Sequence, residues 1–193
     1  MKREKSWRRE DGFLLRPGKQ EDAEAYYSQN YCPLDGEAAR LTGCKTSFTR
    51  EEVTQFFLHA VEAEDRYLFL LLSPEGRIVG ETALTDIDTQ LRSANFRMAI
   101  FQPGLRGKGF GTWAARATRD FAFAELKLHR LELDVFSFNP RAERCYRKAG
   151  FRREGVRRDA VVDSATAPMG TTSSWPCWRR SGRLSNRTRH RTT

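Results

Sequence analysis

The chain lacks any hydrophobic run long enough to cross a membrane. Its longest unbroken apolar stretch, from Tyr67 to Leu72, is six residues, against the ~20 that a transmembrane helix requires. The first ten residues, MKREKSWRRE, contain no apolar core of a secretory signal. Cysteine is scarce and irregular. Cys32, Cys44, Cys145 and Cys177 form no C-x-x-C pair, and with three histidines they give neither a zinc pattern nor a disulfide framework. No Ser-His-Asp or Cys-His pattern is present. These absences together lead us to expect a cytoplasmic, reduced protein with no membrane contact and no metal.

Acid is what the last thirty residues lack. Residues 164–193 hold six arginines and neither aspartate nor glutamate, and the first ten residues carry a net +3. The whole chain has 34 Lys plus Arg against 25 Asp plus Glu, a net charge of +9, so residues 11–163 are neutral. A pI of about 9.8 would ordinarily suggest a nucleic-acid partner. Here the basicity sits at the two ends, and nucleic-acid binding is expected only through the tail. The chain therefore divides into a basic extension at 1–10, one domain at 11–163 and a low-order basic tail at 164–193.

Within 11–163 the patterning predicts a mixed α/β domain in the order β-α-α-β-β-β-α-β-α-β. A short strand at Phe13–Arg16 is followed by a helix over about Glu21–Asn30, and residues 31–48 read as a loop with at most one helical turn. Thr49-Arg50-Glu51-Glu52 is a capping box that opens a helix with Val53, Phe56, Phe57 and Ala60 on one stripe. Tyr67–Leu72 and Ile78–Leu84 form a hairpin around a turn-rich connection. Strands at Ala94–Phe101 and Leu131–Val135 flank a helix from about Gly111 to Leu126. Asn139-Pro140 starts the next helix and Gly150 stops it. The last strand expected is Phe151–Val162.

Between a strand and a helix lies Leu105-Arg106-Gly107-Lys108-Gly109-Phe110-Gly111-Thr112. Glycines turn backbone N–H groups toward a common point and the helix N-terminus adds positive potential, so the segment suits a phosphate or pyrophosphate. It is not a Walker A loop, because Gly-Lys-Ser/Thr is missing. Gly109-x-Gly111-x-x-Ala114 does satisfy the dinucleotide pattern, with Glu132 or Asp134 about twenty residues on. A Rossmann-like nucleotide-binding oxidoreductase is thus an alternative, although too few strands remain downstream for that fold. A basic RNA-associated protein or a catalytically weak binding module is a third reading.

Arg106-x-x-Gly109-x-Gly111, followed by a helix, a strand and Asn139-x-x-x-x-x-x-Tyr146-x-x-x-Gly150-Phe151, resembles the GNAT family of acyl-CoA N-acyltransferases. It is closest in character to the branch of ribosomal-protein and spermidine acetyltransferases. The resemblance implies a mixed central sheet whose middle strands splay apart to admit pantetheine, flanked by helices. It implies acetyl-CoA as acyl donor and a primary amine, on a small molecule or a protein N-terminus, as acceptor. A homodimer is the assembly allowed for, although the sequence itself does not give the oligomeric state.

By the same resemblance, backbone groups at Met98, Ala99 and Ile100 would pair with pantetheine and steady the developing oxyanion. Arg106, Gly107, Lys108, Gly109, Phe110, Gly111 and Thr112 would hold the pyrophosphate, Asn139 would contact the cofactor, and Tyr146 would protonate the leaving thiolate. The attacking amine must be neutral, and Glu81, Asp86 and Asp88 are the acids near the cofactor strand. Glu81 is the candidate base or water-positioner.

A domain of this branch should close on a further apolar strand, and after Asp163 none is legible; the final strand is expected to be missing or altered, leaving an open sheet edge beside the cleft. One reason would be a reading-frame shift. With GC-rich codons for Gly170–Gly182, the neighbouring frame reads Asp-Asp-Val-Leu-Met-Ala-Val-Leu-Glu-Glu-Glu-Trp, an apolar strand with an acidic end.

Overall fold

The computed structural model describes residues 5–163 and 169–179. A short strand, β1 (Trp7–Arg8), precedes β2 (Leu14–Pro17). Then come α1 (Ala23–Asn30), α2 (Gly36–Thr42) and α3 (Arg50–Glu62). The long antiparallel ladder is β3 (Tyr67–Leu72), β4 (Ile78–Asp88) and β5 (Ser93–Ile100). Next are α4 (Phe110–Ala124), β6 (Arg130–Glu132), β7 (Asp134–Phe136), α5 (Pro140–Ala149), β8 (Gly155–Val162), β9 (Met169–Ser174) and β10 (Cys177–Trp178).

The signals for helix starts and stops act as expected. Glu52 N–H donates to Thr49 Oγ1 at 3.2 Å while Glu52 Oε2 accepts from Thr49 N–H at 2.8 Å. Asn139 Oδ1 accepts from Ala142 N–H at 3.0 Å, and Gly150 ends α5 at φ 98°. On α3, Val53, Phe57 and Ala60 are buried, but Phe56 is 52% exposed, which corrects its expected place on the core stripe. The loop expected at 31–48 contains a complete short helix, α2, capped by the Asp35 side chain and closed by Gly43 at φ 71°.

The seven strands β1-β2-β3-β4-β5-β6-β10 form one sheet, and β7-β9-β8 form a second. Helices cover both faces of the large sheet. One core joins α1 and α3 to the face carrying Leu68, Leu70 and Ala83. The other joins α4 and α5 to Phe69, Leu71, Leu84 and Phe96, with a buried Thr82–Thr118 hydroxyl pair at 2.6 Å between β4 and α4. The only parallel pairing among the described residues is β5 with β6. A doubly wound nucleotide-binding sheet is mainly parallel, so the Rossmann alternative does not survive.

The strand expected as one unit at Leu131–Val135 is split. β6 pairs with β5 only as far as Asn95↔Glu132, and β7 leaves for the second sheet. That departure opens the cleft. The expectation for the C-terminal end also changes. No strand was legible after Asp163, yet β9 pairs with both β7 and β8, and β10 pairs with β6. The closing strand is present in altered, polar form and the sheet beside the cleft is not an open edge. Ladder bonds are made by backbone groups, so Met-Gly-Thr-Thr-Ser-Ser can pair without the apolar alternation by which a strand is recognised. The remainder of the expected tail, 164–168 and 180–193, lies outside the described residues, as does part of the segment concerned in the frame shift.

Candidate active site

A cleft of about 600 Å³ runs along the splay, between β5 and the glycine loop on one side and β7, α5 and the second sheet on the other. Past Asn95 the β5 backbone has no strand partner toward β6, so Met98, Ala99 and Ile100 all line the cleft from an unpaired edge. A linear ligand with amide groups can complete such an edge. The Ile100 carbonyl is already occupied, accepting from Arg106 Nε at 3.0 Å.

At one end, Gly107 and Gly109 hold φ of 79° and 88°, a conformation costly for other residues, and Gly109 leads directly into α4. The first amides of α4 have no intrahelical acceptor and face the cleft where Gly109, Gly111 and Thr112 line it. Across from them, α5 presents Arg141, Arg144 and Lys148 to the same cleft. This pairing of helix N-terminus and cationic stripe fits a pyrophosphate. The stripe was not singled out from sequence, although its three- and four-residue spacing on a capped helix was readable.

Three of the expected phosphate-loop residues offer no free side chain to the cleft. The Arg106 side chain is only 7% exposed; it donates to Glu37 at 2.6 Å, to Phe101 O at 3.1 Å and also to Asp35. It is spent on fastening α2 to the end of β5. Phe110 is buried against Phe13, ring centroids 4.4 Å apart. Lys108 is exposed and does not line the cleft. The α2 partners of Arg106 lie 69 and 71 residues away in sequence, which no local motif reveals.

Tyr146 lines the middle of the cleft. It packs edge-on against Phe96 at 6.0 Å and Phe151 at 5.8 Å, so it is a core residue that also faces the cleft. Burial pushes its phenol above the ordinary tyrosine range, so it keeps its proton at neutral pH and can donate it. Asn139 lines the cleft with its side-chain oxygen spent on the α5 cap.

Glu81 stands opposite Ala99 in the β4–β5 ladder, beside the cleft rather than among its lining residues. Its Oε2 accepts from Tyr26 Oη at 2.7 Å, and Tyr26 Oη lies 3.1 Å from Tyr31 Oη. Burial raises its carboxyl, partly countered by the Tyr26 hydrogen bond and by Arg97. A carboxyl shifted upward in this way is a better proton acceptor than an exposed one. The other two acids are engaged elsewhere. Asp86 accepts from Thr85 and Asn95, and Asp88 caps the turn at Gln90 and Leu91.

Helix α2 forms the roof, with Ala38, Leu41 and Thr42 facing the cleft. It is tied at its start to Arg106 and, through Glu37, to Arg141 at 3.0 Å. At its middle Arg40 grips Asp163 with two bonds of 2.7 Å. Among the described residues no group of three or more His, Cys, Asp or Glu could hold a metal, and no helix is long and apolar enough to cross a membrane.

Residues 13–152 match the model of the acetyltransferase (GNAT) domain. The chain is 31% identical over 112 residues to the probable N-acetyltransferase YjcK of Bacillus subtilis, covering 58% of this chain and 62% of that protein. It is 31% identical over 147 residues to the spermidine N(1)-acetyltransferase of Escherichia coli K12, covering 73% of each. The chain thus spans rather less than two thirds of the former relative's length. Among solved structures it resembles a spermidine N-acetyltransferase from Vibrio cholerae in complex with CoA and spermine, with TM-score 0.75 at 20% identity over 86% of this chain and 95% of that one. It also resembles a ribosomal-protein-S5-alanine acetyltransferase from Vibrio fischeri, with TM-score 0.77 at 20% identity over 90% and 96%.

Proposed function

We propose, from the premise that the chain belongs to the GNAT acetyltransferase family, that it transfers an acetyl group from acetyl-CoA to a primary amine by direct attack of the amine. The observation that carries the reading is the cleft itself. One continuous opening joins an unpaired strand edge, a helix N-terminus faced by a cationic stripe, and a buried protonated tyrosine.

Acetyl-CoA supplies an activated thioester. The chain's residues do the rest. The amides at the start of α4, with Arg144 and Lys148, hold the pyrophosphate. The free edge of β5 at Met98, Ala99 and Ile100 orients the pantetheine arm, and an N–H of that edge faces the carbonyl oxygen as negative charge develops there. Glu81, through water held at its carboxylate, accepts the proton that the amine must lose. An alkylammonium starts near pKa 10, so this step needs an acceptor close by. Tyr146 Oη gives its proton to the departing sulfur. The α2 roof limits solvent and shapes the acceptor side. We place the reaction in the cytoplasm, with a homodimer as the assembly, and light scattering reads the latter.

The test is release of the CoA thiol when the full chain is mixed with acetyl-CoA and a panel of a polyamine, an aminoglycoside, a free amino acid and a peptide N-terminus. Saturable release with at least one amine supports the reading. Absence of CoA binding together with absence of release would remove it.

A further inference from the structure

Arg97 is the one cationic side chain on the acceptor face of β5, and it stands at the mouth of the splay. Pairing of β5 with β6 ends at Asn95, two residues before it. Across the ladder Arg97 faces Ala83, while Ala99 on the same face of β5 stands opposite Glu81. Arg97 and Glu81 are therefore diagonal neighbours, about 7–8 Å apart at their Cα positions by the geometry of an antiparallel pair. A cation and an acid thus project from neighbouring positions on one face of the sheet, as a ligand carrying both an amine and a carboxylate would need.

The guanidinium lines the cleft and is exposed there. Among the described residues no carboxylate binds it, whereas Arg16, Arg40, Arg106 and Arg130 each hold one. The acids near Arg97 have other donors: Glu81 has Tyr26, and Asp86 has Thr85 and Asn95. The rest of the lining has the same sign. Arg97, Arg106, Arg141, Arg144, Lys148 and Arg157 oppose a single acid, Asp134, which Arg157 already binds. A polycation entering here can set one ammonium beside Glu81 but is repelled at Arg97, while a zwitterion meets both signs in register.

We infer that the acceptor carries a carboxylate a few bonds from the amine that is acetylated, and that Arg97 is the specificity residue that binds this anion. The inference rests on the acetyl-transfer reading and departs from the spermidine for which several relatives are named. Arginine suits the role because its planar fork takes a carboxylate in two parallel hydrogen bonds.

Two matched pairs test it on the full chain in the presence of CoA: β-alanine against β-alaninamide, and the dipeptide Asp-Ala against Asn-Ala. Binding is read by calorimetry and acetylation by kcat/KM. The wild type should favour the acidic member by about tenfold or more, the worth of a charge-assisted hydrogen bond. Arg97→Gln should lose that preference and Arg97→Lys should keep part of it, with circular dichroism confirming that both variants fold. Preference in the β-alanine pair alone identifies a free amino acid, and preference in the dipeptide pair identifies an acidic peptide N-terminus. Equal handling of both members by the wild type, a preference that persists in Arg97→Gln, or spermidine outperforming every acid would overturn the proposal. Absence of CoA release with all amines would instead strike at acetyl transfer, and the binding comparison would still judge Arg97.

Discussion

At the scale of single residues, the proposed mechanism gives Glu81 and Tyr146 opposite protonation roles, and the site suits both by similar means. Both are raised by burial, which turns a carboxyl into a stronger base and keeps a phenol protonated. The rate should therefore climb through a pKa above the ordinary glutamate value and should not fall until above the ordinary tyrosine value near 10. Tyr146→Phe, which keeps the ring packing on Phe96 and Phe151, should lower kcat by roughly 10²-fold or more, in the range of general-acid catalysis. An unchanged rate would remove the phenol from the mechanism.

Glu81→Gln carries a second signature. A carboxyl raised on folding binds its proton more tightly in the native state, so the native protein loses stability as pH rises from the unfolded glutamate value through the raised one. Glu81→Gln, which still accepts from Tyr26, should abolish that loss. At pH 7 its melting temperature should exceed the wild type's while its activity falls. A variant less stable than wild type at pH 7 would contradict the assignment of Glu81 as a carboxylate held against its desolvation.

The positions of Glu81 beside the cleft and Tyr146 in it are legible in the sequence because both sit at fixed offsets from strong local signals: one on the strand before β5, the other seven residues after an Asn-Pro helix start. Arg97 was not, since an arginine on a strand is ordinary until the neighbouring strand is seen to leave. Arg106 was legible as a cation near the loop but not in its direction, which is set by acids on a helix far away in sequence.

Among the elements, α2 is the one whose importance the sequence concealed. Its seven residues are too few for a periodic signal, and Gly36 and Gly43 read as loop punctuation. Gly43 in fact supplies the left-handed residue after the helix, and a Cβ there would meet the Phe136 ring at 3.0 Å. The helix is thereby pressed onto β7, and ion pairs to Arg106, Arg141 and Asp163 fix it as a roof. Arg40→Gln should raise the KM for the amine roughly several-fold, as expected when a covering element is loosened, with a smaller change for acetyl-CoA. Equal changes in both would mean that α2 supports the whole cleft instead of its acceptor side.

The α3 capping box, the β3–β4 hairpin and the Asn-Pro start of α5 were all readable, each being written within four or five residues. The split of β6 from β7 was not. Leu131, Leu133 and Val135 alternate without a break, and only pairing with β9 shows that the chain changes sheets.

For the molecule as a whole, the polar C-terminal segment pairs with β6, β7 and β8 but leaves buried polar groups unsatisfied. Of the four buried side-chain polar atoms without a hydrogen-bond partner among the described residues, Thr172 Oγ1 and Trp175 Nε1 both fall there. A buried unpaired group costs about 1–3 kcal/mol. Thr172→Val should therefore raise the melting temperature by about 2–4 °C for each kcal/mol recovered. A chain carrying the apolar strand of the neighbouring frame should also melt higher than this one. A lower melting temperature for either would show that the polar strand is well accommodated.

The charge that suggested nucleic acid separates in the same way. Residues 11–163 are neutral in sum, yet the charged side chains lining the cleft are six cations and one acid, with Arg141, Arg144 and Lys148 across from the start of α4 and Arg97 diagonal to Glu81. On the proposed mechanism this cleft moves an acetyl group straight from thioester to amine, with Tyr146 giving up the proton. The most direct measurement is the mass of the amine after incubation with acetyl-CoA and the full chain, compared with Tyr146→Phe. An amine heavier by one acetyl group, formed by the wild type and strongly reduced in the variant, is the predicted result. Consumption of acetyl-CoA with the amine left unmodified would contradict it.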